Sequence, residues 1–237
     1  IITKNTPKEE LEKFGFENVK PLRQKSYKKI IPNPIIVSEN KSFKDETKIW
    51  FDSQNQDIMY FYSLNGSSFK LADRSIFTLK ETTEVKLYSE HDGEKSKIVT
   101  ATFYKKDNDW TVDLISEPSP MYFAGGNDGL IDGITGTTNW RKGDWHGYQS
   151  QNFEAIVDLK RETEISEISA NFLQDSRSWI IMPTKVEYFI SDNGETFNLI
   201  GTVKNTVDPK DYESQIKTFT SKFNKTKARY VKVKAYN

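Results

Sequence analysis

Cysteine is absent from the 237-residue chain, and histidine occurs only twice. Without cysteine the chain has no disulfides, thiolate zinc sites, iron–sulfur clusters or thiol nucleophiles. Neither sign of charge is in excess, because 34 lysines and arginines balance 34 aspartates and glutamates. Proteins that bind nucleic acids through phosphates need a basic surplus, so the charge balance argues against that class. No apolar run approaches the roughly 20 residues of a membrane-spanning helix.

Glycine, unlike charge, is distributed unevenly along the chain. Residues 1–117 contain three glycines and residues 118–237 contain nine, although each part is electrically neutral. This contrast predicts two domains. We place the break at Glu117–Pro120, where two prolines stiffen the chain and cannot continue a strand ladder. The predicted organisation is a linker or N-terminal extension over 1–30, with a short helix from Pro7 to Phe14, and domains over 31–117 and 118–237.

Both domains have the pattern of short β-strands. In the first, β-branched and aromatic runs are separated by polar turn clusters, which is typical of an antiparallel sandwich. These runs are Lys48–Phe51, Ile58–Tyr62, Ile76–Leu79, Val85–Tyr88, Ile98–Tyr104 and, just before the break, Trp110–Ile115. Glu90–Glu94 has three acids around a histidine, but its central Asp-Gly favours a solvated hairpin turn over a metal site.

The second domain predicts six strands and one unusually long loop. The strands are Phe153–Val157, Ile165–Phe172, Val186–Ile190, Phe197–Val203, Ile216–Phe219 and Ala228–Ala235, with a hairpin at Asn193-Gly194. The glycine-rich loop, residues 124–152, contains seven of the nine glycines. A loop of this length in a compact domain is usually functional or ordered by an ion.

Motifs of the second half resemble the discoidin family, also called F5/8 type C domains. Leu130–Gly133 followed by Thr138–Trp140 resembles the family's D-G…T-x-W signature. The run PTKVEYFISDNGETF, residues 183–197, resembles its hairpin, and Ala228–Val233 resembles its A-R-Y-V-R-V strand. The family continues to a further acidic strand, so we expect a domain truncated at its last strand.

The runs NDGLIDG at 127–133, TTNWRKGDWHGYQ at 137–149 and DSRSWIIMPTKVE at 175–187 resemble the accessory domain of bacterial glycoside hydrolase family 20 β-N-acetylhexosaminidases. Tyr60–Ser67 resembles the strand and turn of the chitobiase C-terminal immunoglobulin-like domain. The resemblance implies an all-β chain, an immunoglobulin-like sandwich followed by a discoidin-like jelly roll of the family 32 carbohydrate-binding type. The only Asp-Glu pair, Asp45-Glu46, has no glycine or histidine beside it, unlike the catalytic pair of these enzymes. The resemblance therefore implies a non-catalytic C-terminal part of an enzyme that is secreted, periplasmic or on the outer surface of a bacterium.

Discoidin-type domains often bind a structural calcium ion in this loop. The resemblance assigns Asp128, Asp132 and Thr138 to such a site, and hard oxygen ligands suit calcium. The alternative is that these side chains only make hydrogen bonds in turns.

The resemblance also places the ligand face on loops at one end of the sandwich. Exposed aromatic side chains in polar loops are candidates to stack on sugars. Side chains with planar hydrogen-bond donors are candidates to bind the sugar hydroxyls. The candidates for glycans containing N-acetylhexosamine or galactose are Trp145, His146, Tyr148, Arg177 and Trp179. As alternatives, Trp179 fills the core and Arg177 pairs with Asp144 or Asp175. Trp140, in the T-x-W position, is expected in the core.

Two other functions are weighed against glycan binding. Both domains could serve only as a structural brace or spacer for a catalytic barrel, in which case they bind no saccharide. The chain would itself be an enzyme if Asp144 and Asp175 converged in a cleft at the separation that glycosidases use. No acyl-transfer, nucleotide-binding or H-E-x-x-H metalloprotease motif occurs.

Overall fold

The structure is a computed structural model that describes residues 7–13, 31–52, 58–72, 76–208 and 210–237. Within these ranges it contains 14 strands, one short helix at Lys8–Lys13 and three short 3-10 helices at Gly126–Leu130, Trp140–Lys142 and Ser176–Ser178. The prediction of an all-β chain is confirmed. Apart from 7–13, the predicted extension over 1–30 lies outside the described residues, as does Phe14.

The first half folds into two sheets. The smaller sheet has the order β1 (Ile35–Ser38), β3 (Thr47–Asp52), β6 (Ile76–Leu79). The larger has the order β2 (Ser42–Phe43), β9 (Val99–Lys105), β7 (Thr83–His91), β4 (Met59–Leu64), β5 (Lys70–Leu71), with β8 (Glu94–Lys95) paired to β7. Every pair is antiparallel except β2 with β9, which is parallel.

Alternating side chains explain why the two sheets pack together. In β3, Ile49 and Phe51 are buried, whereas the residues on either side of each are more exposed. They join one hydrophobic cluster with residues of both sheets: Phe43, Phe77, Leu79, Val85, Leu87 and Phe103. A period of two with one buried face is the signature of a sandwich. The predicted two-layer packing is therefore observed, and its assignment to the immunoglobulin type stays a prediction.

The second half forms one antiparallel sheet of five strands. Its order is β10 (Thr111–Leu114), β11 (Phe153–Gln174), β14 (Gln215–Tyr236), β12 (Lys185–Ser191), β13 (Asn198–Lys204). Its core centres on Tyr188 and Phe219, both fully buried. The Tyr188 hydroxyl donates a 2.5 Å hydrogen bond to the Phe219 carbonyl, and burial raises the pKa of Tyr188 to about 12.

Four predicted strands of this half are parts of two long ones. β11 and β14 each have 22 residues and pair along most of their length, with register shifts between Asp158 and Thr163 and between Ile165 and Glu167. The exposed middle of the pair is held by cross-strand ion pairs: Glu162 with Lys227, Glu164 with Lys225 and Glu167 with Lys222. We call this part, residues 160–167 and 222–227, the charged ribbon.

The strand just before the predicted break belongs to the five-stranded sheet of the second half. Thr111–Leu114 pairs with β11, so the sheet begins before the predicted boundary at 118. Its composition had no feature that would have assigned it to either side of Pro118 and Pro120.

Both predicted hairpins are present. At the first, His91 pairs with Glu94 around Asp92 and Gly93, which have φ of 51° and 77°. Two residues with positive φ form the turn that suits a two-residue hairpin. At the second, Gly194 has φ of 78°, and the Asn193 side chain accepts hydrogen bonds from the amides of Glu195 and Thr196.

Candidate functional site

The predicted sugar-binding residues fall into two groups with different surroundings. Trp145, His146 and Tyr148 lie in the glycine-rich loop and are half-buried, whereas Arg177 and Trp179 are exposed in the loop after β11. The sequence-based prediction placed them on one face, but within the described residues only the side chains of the first group make hydrogen bonds.

Trp145 is held inside its own loop. Its indole Nε1 donates a 2.8 Å hydrogen bond to the Thr137 carbonyl, and its ring lies over Gly136. A Cβ at position 136 would lie 2.3 Å from the ring, so only glycine permits this approach. Trp145 therefore stabilises the loop, and its donor is already used.

His146 and Tyr148 are likewise bonded within the loop. The His146 ring nitrogens lie 2.7 Å from the Ala124 carbonyl oxygen and 3.3 Å from the Tyr148 hydroxyl. Burial raises the pKa of Tyr148 to about 12, and its ring packs on Phe153 at 4.9 Å between centroids. Neither polar group of this pair is free to bind a sugar without breaking a bond of the loop.

Trp179 has the opposite surroundings. It is 90% exposed and has φ of 59°, a left-handed conformation that costs a bulky residue energy. The alternative that Trp179 fills the core is therefore wrong. Arg177, two residues earlier, is exposed and makes no hydrogen bond, ion pair or ring contact within the described residues. Its predicted pairing with Asp144 or Asp175 is not observed.

Asp175 fixes the loop that carries these two side chains. It is 8% exposed, and its Oδ2 accepts hydrogen bonds from Ser178 Oγ at 2.9 Å and Trp140 Nε1 at 3.1 Å. The bond from Ser178 holds the pKa of Asp175 below its ordinary value, and the bond from Trp140 acts in the same direction. The carboxylate therefore stays charged and joins Trp140 to the loop of Trp179.

Trp140 is a residue whose role the sequence missed. It is half-buried and not in the core. The Arg141 guanidinium lies 4.1 Å above its ring, and Tyr122 packs edge-on at 5.7 Å. We call Tyr122, Trp140, Arg177 and Trp179 the aromatic platform. The T-x-W position identified Trp140 as special, but the buried Asp175 that holds its indole at the surface is visible only in three dimensions.

A further loop borders the platform. The Asp211 carbonyl accepts hydrogen bonds from Gln174 Nε2 at 2.8 Å and Ser176 Oγ at 3.4 Å. Tyr212, the next residue, is 63% exposed. Residues 119–123, 139–143, 175–181 and 210–214 are therefore linked by direct contacts, from Tyr122 to Trp140 to Asp175 and from Ser176 to Asp211. Tyr212 was not predicted, because one tyrosine in a polar segment gives no signal by itself.

The three predicted calcium ligands do not share one environment. Asp132 is buried, its Oδ1 accepts a hydrogen bond from the Ile134 amide, and burial raises its pKa. Asp128 instead faces the Lys106 ammonium at 3.4 Å, and Thr138 is exposed. Among the described residues, no group of three His, Cys, Asp or Glu side chains converges to hold a metal. Only Asp132 thus fits a cation ligand, and calcium stays a prediction.

Asp144 and Asp175 have separate partners and not a shared cleft. Asp144 Oδ1 lies 2.6 Å from Lys41 Nζ, and Asp175 binds Trp140 and Ser178. The hydrogen bond from Ser178 lowers the pKa of Asp175, the opposite of the raised pKa that a general acid needs.

The family profile described as "F5/8 type C domain" matches residues 114–237, more than half of the chain. The chain belongs to the F5/8 type C domain family. The match begins at the last residue of β10 and includes the whole glycine-rich loop and the aromatic platform. A comparison with curated protein sequences gave no match.

Two solved structures show partial similarity to this chain. The C-terminal domain of a chitobiase from Bacteroides fragilis is 19% identical, with a TM-score of 0.38, over 54% of this chain and 82% of that one. CpGH89CBM32-5 from Clostridium perfringens, in complex with GalNAc-β-1,3-galactose, is 23% identical, with a TM-score of 0.36, over 54% and 84%. Because both TM-scores are below 0.5, the family assignment rests on the match at 114–237. Among the described residues, no helix has the length and apolar character needed to cross a bilayer.

Proposed function

We propose that the F5/8 type C domain binds a glycan on the aromatic platform. The observation that supports this most is Trp179, a large aromatic ring kept in solvent at an energetic cost. An exposed indole, two residues from a guanidinium that has no partner among the described residues, offers a stacking face and planar donors, the two features by which a site recognises the C–H face and the hydroxyls of a sugar. Asp175 and Trp140 hold this surface in place before a ligand arrives, which lowers the entropic cost of binding.

In this proposal the three half-buried candidates of the glycine-rich loop do not contact the sugar and only stabilise the loop. Trp145, His146 and Tyr148 order the glycine-rich loop, which carries Trp140 and Arg141 to the platform. We therefore expect their substitution to change stability before it changes sugar specificity.

The wider setting is part of the same proposal. We propose that residues 31–117 form a chitobiase-like, immunoglobulin-type domain, followed by the F5/8 type C domain. We further propose that the chain is a non-catalytic accessory region of a secreted or surface-exposed bacterial β-N-acetylhexosaminidase. The motif order along the sequence supports these assignments, and glycans with N-acetylhexosamine or galactose are the expected ligands.

A titration tests glycan binding. The chain is titrated with galactose, N-acetylgalactosamine, N-acetylglucosamine and chitooligosaccharides while tryptophan fluorescence is recorded. We expect saturable binding that Trp179→Ala and Arg177→Gln remove. Trp110→Ala and Arg161→Gln are the matched controls, since both residues lie outside the platform. No response of the folded protein at millimolar sugar would reject the proposal.

One observation favours the brace as a second candidate. Trp50 lies opposite Val37 and Ile76 across β1, β3 and β6, on the face turned away from the core, and Ile76 is 55% exposed. An outward apolar row of this kind suits contact with another domain. If bracing is the whole function, no saccharide binds and the platform variants change nothing but local fluorescence.

A further inference from the structure

The acidic side chains of the glycine-rich loop face basic side chains from the first half of the chain. Asp128, Asp132 and Asp144 line a cavity of about 320 Å³ together with Lys41 and Lys106. The aspartates and the lysines come from opposite sides of the predicted break. The cavity therefore marks a polar contact between the two halves.

Three hydrogen bonds cross this contact. Lys41 Nζ donates to Asp144 Oδ1 at 2.6 Å, and Lys106 Nζ donates to Asp128 Oδ2 at 3.4 Å. Between them, Ser42 Oγ donates to the carbonyl oxygen of Asp132 at 2.6 Å. Asp128, Asp132 and Asp144 of the glycine-rich loop are thus each bonded to a residue in or next to β2 or β9.

Strand pairing fixes the donors in position. Lys41 directly precedes β2 and Lys106 directly follows β9, and these two strands are parallel neighbours. The Tyr104 amide donates to the Lys41 carbonyl at 2.8 Å, and the Lys106 amide donates to the Phe43 carbonyl at 2.7 Å. The backbones of both lysines are therefore ordered before their side chains meet the loop.

The ion pairs of Lys41 and Lys106 are more buried than the ion pairs of the charged ribbon. The Asp144 side chain is 13% exposed and the Lys106 side chain 18% exposed, so each pair has one partner largely removed from water. In the charged ribbon both partners of every pair are about half exposed or more. Fully exposed pairs contribute little because water screens them, whereas a partly buried charge needs its counter-charge.

We propose that Lys41 and Lys106 serve as the built-in counter-ions of Asp144 and Asp128, so that the first half of the chain, and not a metal ion, orders the glycine-rich loop. The ammonium of Lys106 lies beside Asp128, a residue to which the family resemblance assigns calcium. Two lysines already pair with two of the three carboxylates there, and Ser42 binds the backbone of the third. The inference does not depend on the proposed glycan binding.

Calcium addition and hydrogen exchange on the full chain test this together. The first measurement is the melting temperature of the unaltered chain in 1–5 mM CaCl₂ against the same concentration of MgCl₂ and against EGTA. The second is amide exchange across 124–144, read by mass spectrometry, in Lys41→Gln/Lys106→Gln. The matched control is Lys222→Gln/Lys225→Gln, which removes the same charge from the charged ribbon.

The proposal predicts no calcium-specific rise in melting temperature. It also predicts that exchange across 124–144 becomes about tenfold faster in the Lys41/Lys106 variant than in the control. If the double variant does not fold, Lys106→Gln alone is measured, with an expected increase of about threefold over Lys222→Gln. A calcium-specific rise of several degrees in the unaltered chain overturns the proposal, as does exchange equal to that of the control.

Discussion

Trp179 gives the sharpest prediction, because Trp179→Gly and Trp179→Ala should differ in stability while both lose the affinity for sugar. The left-handed conformation costs a residue with a Cβ about 1–2 kcal/mol, and glycine avoids that cost. Glycine also gains about 0.5–1 kcal/mol of entropy in the unfolded chain, which offsets part of the relief. Since the ring is 90% exposed, its removal itself costs little.

The expected stability of Trp179→Gly is therefore between unchanged and about 1 kcal/mol higher, equivalent to a rise of at most about 2–4 °C in melting temperature. Trp179→Ala keeps its Cβ and is expected within about 0.5 kcal/mol of the unaltered chain. Both variants should lose the stacking face. Truncation of a central aromatic residue in a binding site typically costs about 2 kcal/mol, or about 30-fold in Kd.

Calorimetry supplies both readouts without relying on the fluorescence of the deleted tryptophan. Scanning calorimetry gives stability, and isothermal titration gives Kd for whichever saccharide the unaltered chain binds. A drop of more than about 5 °C in Trp179→Gly would show that the ring packs against the protein. Unchanged affinity in a stable variant would show that the sugar lies elsewhere.

Three further predictions follow from single contacts. Gly136→Ala should destabilise the F5/8 type C domain by about 1–3 kcal/mol in a denaturant titration, because the new Cβ overlaps Trp145. Gly143→Ala, with open space at its Cβ but φ of 78°, should cost only about 1 kcal/mol. Equal costs of the two variants would contradict the packing described. Tyr188→Phe should cost about 1–2 kcal/mol by leaving the Phe219 carbonyl unpaired, and a neutral result would show that water replaces the hydroxyl. The Arg229 guanidinium holds the pKa of Asp158 well below its ordinary value, so the pair stabilises the fold above about pH 4 and this stabilisation is lost as pH falls through the lowered pKa. Asp158→Asn should therefore melt below the unaltered chain at pH 7, with a difference that shrinks toward pH 2, and a difference independent of pH would refute the assignment.

The β-strands were predictable because their alternation is local. Ile49 and Phe51 enter the core on either side of Trp50, and that period of two is readable from the sequence. The two long strands were not predictable, because the charged residues at 160–164 resemble a turn. β11 nevertheless continues through them, and glutamates of the charged ribbon form ion pairs with lysines of β14. Which strand lies alongside this segment is a property of the fold that the pattern of a single strand does not contain.

The candidate site, too, was predictable from the sequence only in part. The motifs pointed to the glycine-rich loop and the loop after β11, and Arg177 and Trp179 are exposed in the latter, whereas their role in binding stays a prediction. The sequence did not show that Trp145 is half-buried and Trp179 exposed, because both follow short polar segments. What separates them is one glycine beneath Trp145 and one buried carboxylate near Trp179. Lys41 and Lys106 also escaped prediction, because their partners lie about a hundred and about twenty residues further along the chain.

The indole N–H signals of the five tryptophans offer the most direct measurement of glycan binding on the aromatic platform. Each gives one resonance in a ¹⁵N-correlated NMR spectrum, assigned by substitution. On saturation with a saccharide that binds, the signals of Trp179 and Trp140 should shift, while those of Trp50, Trp110 and Trp145 stay in place. Shifts confined to Trp145, or no shift of any indole at millimolar galactose, N-acetylgalactosamine or N-acetylglucosamine, would contradict the account.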